Sequence, residues 1–129
     1  MHDRQLYDYA LVRVVPRPER GEFVNAGVIV SCGAAKFLQA RIELDEARVR
    51  ALDPRTDIDP IRDHLRSIPL ICLGGEAAGP IGRLTQRERF HWLVAPRSAV
   101  IQTSPVHTGY CRSPGDALER LLATMVRCG

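Results

Sequence analysis

The sequence is poor in lysine, in aromatic residues and in long apolar runs. Lys36 is the only lysine, so arginine supplies nearly all of the positive charge, which indicates a nucleotide-composition bias of the source genome. Aromatic residues make up 5% of the chain and do not interleave with the arginines, so no base-stacking platform for nucleic acid is predicted. No run approaches the roughly 18 apolar residues of a membrane span, so no membrane association is expected.

Closely spaced cysteines are also lacking. The four cysteines stand singly, so neither a zinc site nor any other cofactor is expected. Cys32 and Cys72 lie in apolar runs and are predicted to be small core residues. Because the first residues are polar and show no secretory signal, we expect a cytoplasmic, reducing compartment.

The order of the segments predicts an α+β fold in a single domain over residues 1–129. Three segments have the composition of strands and are joined by short connections: Tyr7–Val15, Phe23–Cys32 and Phe37–Leu44. This order predicts a three-stranded antiparallel meander. Ala99–Thr103 is a fourth strand candidate. We therefore expect a mainly antiparallel sheet of about four strands, with helices packed on one face.

Helix boundaries are marked by capping residues. Suitable N-caps precede three helical patterns: Asp45 the first, Asp57 or Asp59 the second, and Thr85 the third. Ser113 with the following proline starts the last helix. Pro69 is expected to break or kink the second helix, because proline lacks the backbone N–H that a helix interior requires.

One polar cluster lies in the first hairpin. It combines a cation, a carboxylate and a carboxamide within a few residues, supplied by Arg20, Glu22 and Asn25. These three are candidate binding residues. The alternative is a solvated turn permitted by Gly21. Gly27, within the second strand, predicts a β-bulge or a close backbone approach.

A second polar cluster spans Gln102–Gly109, where a loop is predicted to leave the fourth strand. His107 is the candidate general acid or base, because imidazole normally titrates near neutral pH, and Glu22 is the candidate group to orient it. Ser104 and Thr108 are candidate nucleophiles or ligand contacts. Alternatively, these hydroxyls close a turn through backbone hydrogen bonds.

Charge is unevenly distributed along the chain. Acidic residues predominate in 43–63, whereas 77–113 contains five arginines against the single acid Glu88. This basic half is a candidate site for a small anion or phosphate, held by Ser104, Thr108 and nearby amides with Arg89 or Arg97. Contact with a nucleic-acid backbone through Arg83–Arg112 is a further alternative.

Four segments together resemble a bacterial family of domains of unknown function, number 3037. They are Tyr7–Val15, Arg20–Val28, Arg87–Leu93 and Ser104–Gly109, and the resemblance covers nearly the whole chain. It implies no established activity. It does imply small stand-alone proteins with neighbouring genes for kinases similar to the HipA toxin, and hence a partner role.

Three functional hypotheses follow. The first is a non-enzymatic accessory or regulatory protein that binds a partner, such as a HipA-like kinase, through a polar groove formed by both clusters. The second is a small hydrolase or nucleotide-processing enzyme with His107 as acid or base. The third is nucleic-acid backbone binding. A homodimer formed through an exposed edge strand is a further alternative.

Overall fold

The computed structural model of the protein describes residues 4–97 and 99–127. In this part of the chain, five strands form one antiparallel sheet. They are β1 (Gln5–Val14), β2 (Val24–Cys32), β3 (Phe37–Ile42), β4 (Ile101–Thr103) and β5 (His107–Cys111). The order is β3-β2-β1, and β4 and β5 both pair with the remaining side of β1. The predicted α+β class and N-terminal meander are confirmed.

The α-helices are α1 (Glu46–Leu52), α2 (Ile58–Leu73), α3 (Gln86–Val94) and α4 (Pro114–Leu121). Short 3-10 segments cover Pro18–Arg20, Gly33–Ala35 and Glu76–Arg83, and a π turn, Leu122–Val126, continues α4.

Three of the predicted helix caps form side-chain hydrogen bonds, whereas Asp57 stands at the N-cap of α2 without one. Asp45 accepts a hydrogen bond from the N–H of Arg48, and Thr85 forms a reciprocal capping box with Glu88. The side chain of Ser113 likewise accepts from a backbone N–H in the first turn of α4. The expected break at Pro69 is wrong, because α2 continues to Leu73.

The predicted irregularity in the second strand is a β-bulge. Asn25 pairs with Arg13 and Gly27 pairs with Val12, so Ala26 is the extra residue. Gly27 lies so close to β3 that a Cβ atom there would be 2.5 Å from Cδ1 of Ile42. The bulge therefore depends on glycine at this position.

Helices cover both faces of the sheet, whereas the sequence analysis predicted helices on one face only. On the first face, strand residues such as Val12 and Ile29 pack against α1, α2 and α3. On the second face, Val28 and Val30 pack against α4 and the π turn. The run Val28–Cys32 is buried at every position, so both of its faces need a cover.

The sheet has five strands rather than the expected four, because part of the predicted loop is β5. Within that loop, His107 and Thr108 pair with Tyr9 and Asp8 of β1. The ten-residue β1 is long enough for two partners on one side: β4 occupies Val12–Val14, and β5 occupies Gln5–Tyr9. The length of β1 was visible in the sequence, but this pairing was not.

Gly27→Ala should destabilise the protein by about 1–3 kcal/mol, the usual cost of overpacking a filled site. Besides Ile42, the added Cβ would lie 2.7 Å from the carbonyl oxygen of Arg41, which is backbone. Urea denaturation monitored by circular dichroism measures the change. Gly33→Ala is the control, because a Cβ at Gly33 meets nothing within 4 Å. Equal losses in the two variants would contradict this description of the bulge.

Candidate functional site

Ser104 is a buried residue that joins β4 to β5. Its N–H donates to the carbonyl of Leu11 at 2.8 Å, and its Oγ accepts from the N–H of Leu11, also at 2.8 Å. The hydroxyl itself donates to the carbonyl of Pro105 at 2.9 Å. Ser104 thus continues the pairing with β1 just before Pro105, which has no backbone N–H to donate. Its hydroxyl is used within the fold.

Thr108 belongs to a small polar cluster on the first face of the sheet. Its hydroxyl donates to one carboxylate oxygen of Asp8 at 2.8 Å, and Arg87 donates to the other at 3.0 Å. The Arg87 guanidinium also lies 5.4 Å from the ring centre of Phe90. Sequence reasoning missed Asp8, although a single acid inside an apolar strand was a usable signal.

His107 lies on the second face, away from Thr108, because neighbouring side chains in a strand point to opposite faces. Its ring lies 5.2 Å from that of Tyr9, and the ring of Tyr9 lies 5.9 Å from that of Tyr7. Within residues 4–97 and 99–127 the imidazole makes no side-chain hydrogen bond. The two candidates of this segment therefore do not share one site.

The side chains of the first hairpin interact locally. Arg20 donates to Glu22 at 2.7 Å, and this hydrogen bond and the opposite charge lower the pKa of Glu22 and raise the pKa of Arg20. Asn25 donates to the carbonyl of Met125 at 3.1 Å, which attaches the bulged part of β2 to the π turn. The side-chain oxygen of Asn25 is buried and has no partner among the described residues.

The two predicted clusters do not meet. Asn25 pairs with Arg13 on one side of β1, whereas His107 pairs with Tyr9 on the other side. The four residue steps from Tyr9 to Arg13 correspond to about 13 Å along the strand. Glu22 lies beyond the end of β1, farther still from His107. The single polar groove expected from the sequence is therefore not formed.

Arg89 and Arg97 bind backbone carbonyls. Arg89 is buried and donates to the carbonyls of Leu84 and Cys72. Arg97 donates to two carbonyls in the last turn of α3, and its guanidinium lies 4.6 Å from the ring centre of Trp92. Both arginines satisfy helix-end acceptors, as side chains commonly do there.

Cys32 and Cys72 are buried, which confirms their prediction as core residues. Burial raises the pKa of the Cys72 thiol to about 12, so this thiol remains protonated near neutral pH.

An exposed apolar surface beside the predicted cluster includes Leu6 and Tyr110, which the sequence analysis did not single out. We call it the β5 edge surface and define it by Leu6, Val106, His107 and Tyr110. The exposed fractions are 53% for Leu6, 43% for Val106 and 61% for Tyr110. Leu6 and Tyr110 face each other across β1 and β5, and the guanidinium of Arg4 lies 5.3 Å from the Tyr110 ring centre.

Comparison with known families gives one match. The model described as "Protein of unknown function (DUF3037)" matches residues 9–126. The chain belongs to this family. No curated protein and no solved structure matches it. Membership confirms the resemblance found in the sequence, and the chemistry has to be argued from the residues.

The described residues contain neither a metal-binding cluster nor a membrane-spanning helix. No group of three or more histidine, cysteine, aspartate or glutamate side chains there is arranged to hold a metal ion. None of the described helices has the length and apolar character needed to cross a membrane.

Ser104→Ala should lower the free energy of unfolding by about 1–3 kcal/mol, because it leaves the N–H of Leu11 without its acceptor. Thr108→Ala, in the same segment, is the control: it removes only an exposed hydrogen bond and should change stability by less than about 0.5 kcal/mol. Thermal and urea denaturation of both variants test the difference. A Ser104→Ala protein as stable as the wild type would show that the hydroxyl has no structural role.

Proposed function

We propose that the protein is a non-enzymatic accessory protein that binds a partner protein through the β5 edge surface. The family resemblance makes a HipA-like kinase the first partner to test. The observation that supports this proposal best is the composition and exposure of β5.

Every residue of β5 is exposed or half-exposed, and within the described residues the strand pairs only with β1. Its sequence, His-Thr-Gly-Tyr-Cys, contains no charged residue and no proline. Soluble proteins usually protect an edge strand with such residues, because its unpaired N–H and C=O groups can pair with another chain. An unprotected edge beside exposed apolar side chains favours pairing with a partner.

The two faces beside this edge offer different contacts. On the first face, the pair Leu6 and Tyr110 provides apolar and aromatic area. On the second face, His107 and Tyr9 provide two neighbouring rings, 5.2 Å apart and tilted relative to each other. A partner strand added to β5 would gain main-chain hydrogen bonds from the edge and specificity from these side chains. Tyrosine is among the residues that contribute most binding energy at protein interfaces.

The other hypotheses have less geometric support. A hydrolase that uses His107 needs an orienting group, but Glu22 lies far along the sheet and is paired with Arg20. Binding of an anion or a nucleic acid through the basic half was expected to involve Arg89 and Arg97. Their guanidinium groups instead donate to backbone carbonyls. Binding through the β5 edge surface does not require any of these hydrogen bonds to break.

Tyr110→Asp should weaken partner binding by more than tenfold, because it places a charge where aromatic area would be buried. The test is co-expression with a HipA-like kinase, followed by size-exclusion chromatography and calorimetric titration. Met125→Asp is the matched control: Met125 is also an exposed apolar residue, but it lies beside the Asn25 end of the sheet.

Binding by Tyr110→Asp as tight as that of the wild type would exclude the β5 edge surface as the interface. Size-exclusion chromatography of the protein alone covers the homodimer. A wild-type dimer that becomes a monomer in Tyr110→Asp would identify a second copy of the chain as the occupant of this edge.

A further inference from the structure

A second surface lies at the opposite edge of the sheet, between β3 and α2. It is a groove of about 440 Å³, within the size range of ligand-binding clefts. Its apolar lining comes from both elements and the segment after β3: Ala40, Ile42, Leu44, Leu65 and Pro69. Among the residues that the structure describes, no acidic side chain lines it.

The strand that borders the groove is open to pairing. Within residues 4–97 and 99–127, β3 pairs only with β2, so its outer backbone groups face away from the sheet. A groove between an edge strand and a helix suits an extended peptide, which adds to the strand through its main chain and buries alternate side chains in the groove. The lining predicts that these buried side chains are apolar.

The charged residues that line the groove are Arg41 of β3 and Arg62 and Arg66 of α2, and each pairs with an acidic side chain outside the lining. Arg62 lies at the rim and is held by Glu46 and, at 2.9 Å, by Asp59. Arg66 is much less constrained: among the described residues its one ion pair is with Asp63 at 3.4 Å, and the two side chains are 70% and 74% exposed. An exposed pair at i,i+3 contributes only a few tenths of a kcal/mol. Arg66 is therefore available to a carboxylate from another molecule.

The apolar side of the groove continues beyond Pro69. Leu73 follows one helical turn later, on the same side of α2, and is 72% exposed. A peptide lying along β3 would cover this side chain as well. An exposed leucine in line with an apolar groove is consistent with a longer bound segment than the groove alone would hold.

We infer that the groove between β3 and α2 binds an extended acidic peptide of a partner protein, which adds to β3, places an apolar side chain near Leu65 and pairs a carboxylate with Arg66. This surface is separate from the β5 edge surface, so the inference goes beyond the proposed function and does not depend on it.

The test uses two fluorescein-labelled peptides, one of alternating valine and glutamate and one of alternating valine and lysine. Fluorescence anisotropy with the wild-type protein should show binding of the glutamate peptide and at least tenfold weaker binding of the lysine peptide. Arg66→Glu should reverse this preference, because it changes the sign of the charge at the rim. Arg66 is exposed, so the variant is expected to fold.

Two control variants locate the binding site. Arg83→Glu makes the same charge change at an exposed arginine outside the groove and should leave both affinities unchanged. Tyr110→Asp, in the β5 edge surface, should also bind the glutamate peptide as the wild type does. Slower amide hydrogen exchange in β3 on peptide addition would support pairing with this edge.

Several results would overturn the inference. One is equal binding of the two peptides, or binding of neither, by the wild-type protein. Another is an unchanged preference in Arg66→Glu. Loss of glutamate-peptide binding in Tyr110→Asp would place the peptide at β5 instead.

Discussion

The outer side of β1 is shared by two short strands, and the arrangement of the molecule depends on how they are joined. Residues Val12–Val14 pair with β4, residues Gln5–Tyr9 pair with β5, and Leu11, between them, exchanges two hydrogen bonds with Ser104. A side-chain hydroxyl thus replaces a backbone group where Pro105 interrupts the strand. Because β5 is held in this register, Thr108 lies on the first face beside Asp8 and His107 lies on the second face beside Tyr9.

Features that depend on nearby residues could be predicted from the sequence. The caps at Asp45 and Thr85, the meander and the bulge near Gly27 each arise from contacts a few residues apart or between consecutive strands. Features that depend on distant pairing could not. The strand β5 looked like a loop because its partner lies about a hundred residues earlier. Similarly, α4 covers the second face because Val28, Val30 and Cys32 of β2 present apolar side chains there.

The candidate site, too, could be predicted from the sequence only in part. The sequence correctly marked Ser104–Gly109 and the first hairpin as unusual polar segments, but a sequence does not give the distance between them. In the structure most of these polar groups bind their own fold: Ser104 binds β1, Asn25 binds the π turn, and Arg89 binds helix-end carbonyls. What remains available is the exposed area on either side of β5, and we base the proposed function on it. Membership of the family is consistent with this proposal and adds no chemistry.

The two edges of the sheet differ in chemistry. The β5 edge is uncharged and carries exposed aromatic and aliphatic side chains, whereas the groove beside β3 has arginines at its rim. Hydrogen–deuterium exchange with and without the co-expressed kinase tests the central proposal most directly. We predict slower exchange in residues 4–9 and 106–111 of the complex, and no change in the hairpin at 17–25. Protection of that hairpin without protection of β5 would contradict the proposal.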